Sequence, residues 1–370
     1  MLLMAAACKT TRHLAAAPPA PIKALRLVNE FDLPFNLLYK NTTVGGLSGI
    51  DYDPGTKNYY LICDDRSNIN PARFYTARIG LSEKGIDSVY FTGVTTLLQP
   101  GGQPYPDYKQ NPRQAPDPEA MRYNAREKLL VWSSEGERIV SPADTVLQDP
   151  AIHATGLNGE YRYSFKLPPN LHMQATDKGP RRNGVLEGLT FDRDHKNLYV
   201  SMEEPLYDDG PRAGLDDAAW IRIIRYNTGT HEPVAQYAYR IDPVAHAPNP
   251  PDAFIVNGVP DMLFLDKDHL LVTERSYSTG RSNCTIKLYL GDISQATDIS
   301  HTASLSTTPP ARPITKKLLL NLDSLGIYID NVEGATFGPP LSNGHRSLIL
   351  VADNNFDPRE KTQFFLFEVD

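Results

Sequence analysis

A segment reading strand, polar turn, strand recurs five times along the chain, about 71 residues apart, and this period limits the fold more than any other feature. The copies begin at Gly46-Leu47-Ser48-Gly49, Pro118-Glu119-Ala120, Leu186-Glu187-Gly188, Pro260-Asp261-Met262 and Val332-Glu333-Gly334. Ser48 to Glu119 is 71 residues, and the next steps are 68 to Glu187, 74 to Asp261 and 72 to Glu333. Turns inside the copies, such as Asp53-Pro54-Gly55, Asp192-Arg193-Asp194 and Asp266-Lys267-Asp268, carry residues that favour tight reversals. One hairpin cannot fill 71 residues, so each unit needs further strands.

Those strands are readable at 73–79 and 88–98, 138–141 and 161–167, 221–226 and 234–241, and 285–290 and 316–322. The fifth copy supplies only 363–369, and its missing strand is the N-terminal run 25–31. Pairing the two chain ends closes a ring and removes the exposed sheet edges. The expectation is an all-β chain: a β-propeller of five four-stranded blades forming a single domain over 22–370. The long stretch 135–186 leaves room for a sixth blade. With 31 prolines, 25 glycines and short apolar runs, the chain favours short strands and many turns.

Each copy marks two positions, one where its first strand opens and one where its second strand closes. Antiparallel strands joined by a turn bring the two to the same end of a blade. The pairs are Ser48/Asp64, Glu119/Glu135, Glu187/Glu203, Asp261/Glu274 and Glu333/Asp353. Nine of these ten are acidic, in a chain with 44 acids among 370 residues. First strands line a propeller's channel, so the acids should converge on one mouth.

Carboxylates packed together resist common ionisation and need a cation or arginines to offset them. The openers Glu119, Glu187, Asp261 and Glu333 are the candidate metal ligands. An all-oxygen set of this kind suits Ca²⁺, with Mg²⁺ the less fitting ion for a roomy site. The other reading is a set of turn caps and ion pairs with Arg66, Arg122 and Arg275. Candidate catalytic residues are the closers Asp64, Glu135, Glu203, Glu274 and Asp353, with their neighbours Asp65, Arg66, Glu204 and Arg275. Glu203 or Glu204 would serve as general base and Arg66 or Arg275 as anion clamp. Long connections at 100–118, 136–160, 168–185, 205–219 and 243–259 leave at the acidic end, where binding loops belong.

Net charge is −7 and no basic run is longer than a pair such as Arg181-Arg182, which argues against a nucleic-acid partner. A mean hydropathy of −0.38 excludes a membrane-embedded chain. Cys63 and Cys284 read as small buried apolar residues, since three cysteines make no disulfide framework. The nine histidines show no ligand spacing, and no zinc-protease, Walker or dinucleotide motif is present. Met1-Leu2-Leu3-Met4-Ala5-Ala6-Ala7-Cys8 resembles the end of a bacterial lipoprotein signal, although its apolar run is short and it lacks a basic start. Residues 1–21 are therefore expected to be a signal with acylation at Cys8 and an Ala/Pro-rich tether. That makes the protein exported, periplasmic or at the cell surface, touching the membrane only through the lipid.

Gly45-Gly46-Leu47-Ser48-Gly49 with Asp64-Asp65-Arg66, Leu186-Glu187-Gly188-Leu189 with Glu203-Glu204-Pro205-Leu206, and Asn331-Val332-Glu333-Gly334 with Asp353-Asn354-Asn355 resemble the phytase-like family, over about 24–370. That resemblance implies a repeated β-rich domain with recurring acids, a connection to phosphoester hydrolysis, and export in bacteria. Two functional readings follow. One is a monomeric, metal-dependent hydrolase acting on a small anionic substrate, a phosphoester or, with the same parts, a lactone. The other is a non-enzymatic propeller whose Ca²⁺ is structural and whose loops bind a glycan, peptide or protein partner.

Overall fold

The computed structural model describes residues 22–370, so the expectation of a signal and an acylated Cys8 falls outside the described residues. Five antiparallel four-stranded sheets form the five blades of a β-propeller, and there is no sixth among the described residues. The first blade runs Gly49–Asp53, Asn58–Cys63, Arg73–Ser82 and Gly85–Thr96 from inside to outside. The third runs Leu186–Phe191, Asn197–Met202, Ala219–Asn227 and Glu232–Ile241, and the fourth Ile255–Asp266, His269–Ser278, Thr285–Asp292 and Thr315–Asn321. Three single 3₁₀ turns are the only helical pieces among the described residues.

The fifth blade closes the ring. Asn331–Phe337, Arg346–Asp353 and Gln363–Val369 are completed by Leu25–Asp32 from the other end of the chain. Leu25 pairs with Val369 and Asp32 with Gln363, so the last strand is hydrogen-bonded on both sides. Phe364, Phe365 and Phe367 on that strand are completely buried. A strand that is apolar on both faces needs both neighbours and a blade on each side, and closure supplies them.

The second blade departs from expectation. Its strands are Pro118–Asn124, Leu129–Ser134, Ala151–Gly156 and Tyr161–Ser164. The run at 138–141 is not the third strand. Glu137–Val140 instead pairs with Thr145–Gln148 in a separate two-stranded hairpin. Ala151–Gly156 is the more buried of the two candidate segments, and Ile152 and Ala154 face the core between the second and third blades. Burial decides which β-prone run enters the blade, and the half-exposed one becomes an excursion beside the mouth.

Candidate functional site

The inner strands of four blades open with a break in the ladder; in the fourth it falls between Gly258 and Asp261, and in the other three it holds a glutamate. Pro118 pairs with Ser134 but Met121 with Trp132; Leu186 with Met202 but Gly188 with Ser201; Val332 with Ala352 but Gly334 with Val351. Glu119, Glu187 and Glu333 fall in these irregularities. A bulged residue leaves the ladder and re-aims its side chain, and all three carboxylates line one cavity of about 1050 Å³ at the mouth of the channel. The corresponding residue of the first blade is the buried Ser48, which donates to the Glu119 carbonyl at 2.6 Å.

Just below the bulges the inner strands pack backbone to backbone. A Cβ on Gly49 would lie 3.1 Å from the Ala120 Cα, one on Gly188 3.1 Å from the Asp261 Cα, and one on Gly334 3.1 Å from the Gly49 Cα. Asp261 therefore occupies the place of Gly49, Ala120, Gly188 and Gly334, one step beyond the acidic openers. It is not a mouth ligand. Its two oxygens take Arg122 Nη2 at 2.7 and 2.6 Å, and the backbone amides of Met262 and Ala335 at 2.8 Å each. Arg122 also donates to the Ile50 carbonyl at 2.7 Å. The pair ties four blades across the channel below the site, and the carboxylate has no oxygen to spare for an ion.

The same one-step slip corrects Glu274. Asp64, Glu135 and Glu203 donate their amides to the carbonyls of Gly46, Asp117 and Val185, and Asp353 pairs with Asn331. The equivalent residue of the fourth blade, opposite Gly258, is Arg275. Glu274 lies on the other face of its strand. There it accepts from Tyr239 Oη at 2.8 Å, the Asp242 amide at 2.9 Å and Lys316 Nζ. Asp65 is likewise not in the site. It accepts the amides of Asn68, Ile69 and Asn70 and pairs with buried Arg73 at 2.7 Å, which fixes the loop after the second strand.

The mouth thus gathers Asp64, Glu119, Glu135, Glu187, Glu203, Glu204 and Glu333 with Arg66 and Arg275. Asp353, fully buried, lies within electrostatic reach of Asp64 and Glu333. Arg275 Nη2 binds Glu203 and lies 3.7 Å from Glu333. Glu204 accepts from Arg212 Nε at 2.7 Å, and Glu135 from the Val185 amide. Arg66 lies over the Tyr108 ring at 4.0 Å, with Nε 3.3 Å from Asp117 and Nη1 3.1 Å from Glu137. Glu137 also takes the Tyr108 hydroxyl at 2.8 Å and Arg182 Nε at 2.9 Å.

Asp117, Tyr108, Arg182, Arg212, Asn331 and Glu137 are site residues that the repeat did not single out. For Asp117 a signal existed: it stands two residues before Glu119, hence on the same side of an extended chain. Asp117, Glu119 and Glu135 each offer a carboxylate oxygen, all within 4.8 Å of one another.

Burial and mutual repulsion push these acids up. Asp117 rises to about 6 through burial, although Arg66 opposes it, and Glu204 rises to about 7 through burial and Glu203. Burial takes Glu333 to about 7 against the pull of Arg275. Burial first, and neighbouring carboxylates second, hold Asp64, Glu119, Glu135, Glu187 and Asp353 well above the usual range. Nine carboxylates, Glu203 and Asp353 included, against two inner arginines is an arrangement short of positive charge.

Among solved structures, an endo-arabinase from Bacteroides thetaiotaomicron matches at 13% identity and a TM-score of 0.44, covering 91% of this chain and 98% of that one. A gluconolactonase from Xanthomonas campestris matches at 10% and 0.36, over 96% and 100%. Likeness at this level bears on neither substrate nor chemistry. An uncharacterized secreted protein of Arthroderma benhamiae is 28% identical over 149 residues, 37% of this chain and 28% of that protein, so the chain aligns with less than a third of its relative. The model of the phytase-like family, described as esterase-like activity of phytase, matches residues 42–356, and this chain belongs to that family.

Proposed function

We propose that the mouth is the active site of a metal-dependent hydrolase that acts on a small anionic ester, with phosphoesters the leading class. The observation that carries this is the Asp117–Glu119–Glu135 group, three carboxylate oxygens within 4.8 Å of one another beside Arg66. The residues fit a hard divalent cation such as Ca²⁺: every donor is oxygen, and neither a cation nor a hydrogen-bond donor pairs with the Glu119 carboxylate among the described residues. Asp117, Glu119 and Glu135 would hold the ion, with Glu187 and Glu333 on the neighbouring walls of the mouth. When bound, it would polarise the phosphoryl oxygens and acidify a water.

This chain's own groups do the rest. Arg66 and Arg275 face the cavity and offset charge that gathers on the phosphoryl oxygens. Glu204, with a pKa near 7, takes a proton from the attacking water as the new P–O bond forms. The ester P–O bond breaks and its oxygen leaves protonated from solvent. Glu203 is held by Arg275 and serves to position that arginine. The family and the secreted relative support export, and we extend the proposal to a lipid-anchored protein acylated at Cys8.

The test is hydrolysis by Ca²⁺-replete protein of phosphomonoesters, phosphodiesters and lactones. Glu119→Gln should lower kcat/KM on the active substrate roughly 100-fold while the cation-free variant melts no lower than wild type. Turnover of lactones alone would move the reaction to acyl transfer. No turnover, with melting still raised by Ca²⁺, would leave a binding propeller with a structural ion.

A further inference from the structure

We propose a second divalent-cation subsite in this mouth, formed by Asp64, Asp353 and the side-chain carbonyl of Asn331. It is distinct from the Asp117–Glu119–Glu135 group and rests on the reading of the mouth as a cation centre. Asn331 and Asp353 are direct register partners at the mouth end of the fifth blade. They are 7% and 0% exposed, and Asn331 lines the cavity. Asn331 Oδ1 and Asp353 Oδ1 are both buried without a hydrogen-bond partner among the described residues. Two orphaned acceptors on facing residues cost more than either alone, unless a donor or cation lies between them.

The amide orientation of Asn331 is set by its neighbour. Nδ2 donates to Glu333 Oε1 at 2.8 Å, and turning the amide over would oppose two acceptors. Its carbonyl oxygen is therefore committed to the other side. The other Asp353 oxygen accepts the Asn355 amide at 3.0 Å, which holds the carboxylate in place.

Asp64 reaches the same corner from the first blade, and Asp353 and Glu333 are among the carboxylates that repel it. It has no salt bridge and no hydrogen-bond donor among the described residues. The arginines nearby are already spent. Arg275 is shared between Glu203 and Glu333, and Arg73 is held by Asp65 and the Thr43 carbonyl. Gly46, at φ +59°, leaves the space: a Cβ there would fall 1.9 Å from Asp64 Oδ1. Its amide donates to Asn354 Oδ1 at 3.1 Å and clips the two blades together at this corner.

Two carboxylates and a neutral amide oxygen make a hard, oxygen-only set that leaves room for water, the coordination that Ca²⁺ accepts. The subsite stands beside the first one, because Asp64 is also within electrostatic reach of Asp117 and Glu119. Two ions in adjoining subsites suit a ligand that offers oxygens to both, as a phosphoryl group does.

The experiment is equilibrium Ca²⁺ binding to the full chain by calorimetry and by dialysis with metal analysis, up to about 10 mM Ca²⁺. Wild type should bind two ions per chain. Asp353→Asn should bind one, and so should Glu119→Gln, each losing a different site. Asn331→Ala, which keeps both carboxylates, should weaken one of the two sites about tenfold and leave the other unchanged; it reads the same subsite should Asp353→Asn fold poorly. One ion per wild-type chain, lost in Glu119→Gln and kept in Asp353→Asn, would overturn the second subsite and leave the proposed hydrolase standing. No bound ion would overturn both.

Discussion

Arg122 and Asp261 are each almost wholly buried, 3% and 2% exposed, and bind one another across the channel axis. Desolvation of two charges offsets most of their attraction, so the pair adds little net stability, but removing one partner strands the other. Arg122→Ala should lower unfolding free energy by about 3–5 kcal/mol, measured by denaturant titration at pH 8. The loss should shrink at pH 5, because burial has raised Asp261 to about 6 even with Arg122 beside it, and a protonated acid is cheaper to strand. The double variant Arg122→Met, Asp261→Leu should recover most of the stability. Equal loss at both pH values would show that packing, not charge, dominates here.

At the scale of one element, the bulge that opens an inner strand turns a glutamate into the mouth, and the residue below it must then be small. Gly49 illustrates the constraint. A Cβ there would meet the Met121 nitrogen at 2.9 Å and the Glu119 carbonyl at 3.0 Å, both backbone atoms that cannot swing aside. Gly49→Ala should cost about 1–3 kcal/mol by overpacking and, by displacing Glu119, weaken Ca²⁺ binding. Gly101→Ala, where nothing lies within 4 Å of the added carbon, is the control and should change neither. Calorimetric melting and Ca²⁺ titration of the two variants check this. The Glu-Gly spacing in Glu187-Gly188 and Glu333-Gly334 shows this constraint in the chain itself. The fourth copy breaks it, since the residue after Pro260 is Asp261. Paired positions there are 13 residues apart, against 16 in the first three copies; the corrected pair, Pro260 and Arg275, is 15 apart, so one step at each end accounts for two of the three residues.

For the molecule as a whole, the mouth couples stability to pH and to cations. Asp117 titrates near 6 and Glu204 and Glu333 near 7, above their values in an unfolded chain. Between about pH 4 and 7 the folded state thus holds more protons than the unfolded state, and stability must fall as pH rises through that window. In chelator, the melting temperature should be highest near pH 4 and decline steadily toward pH 7.5. Added Ca²⁺ should reverse the slope, since it competes with protons for the same oxygens. Its stabilisation should reach about 2.7 kcal/mol at one hundred times Kd, and Glu187→Gln should blunt that response without unfolding the chain. Melting indifferent to pH and Ca²⁺ would mean that arginines alone balance the ring.

Periodicity and turn chemistry by themselves determined the repeat, the all-β class, five blades with room left for a sixth, and the pairing of 25–31 with 363–369, because each depends on patterns local to about ten residues or on a constant spacing; the folded chain removed the sixth. They also placed Glu119, Glu187 and Glu333 on one mouth with Asp64, Glu135 and Glu203. Tertiary structure decided what depends on a single step of register. In a strand one residue separates opposite faces, so Arg275 rather than Glu274 reaches the site, and Asp64 rather than Asp65. It decided too which β-prone run of the second blade is buried deeply enough to enter the sheet. Asp117 and Asn331 stand two residues before Glu119 and Glu333, a spacing the chain does carry, but only the folded mouth shows that they line the cavity with them.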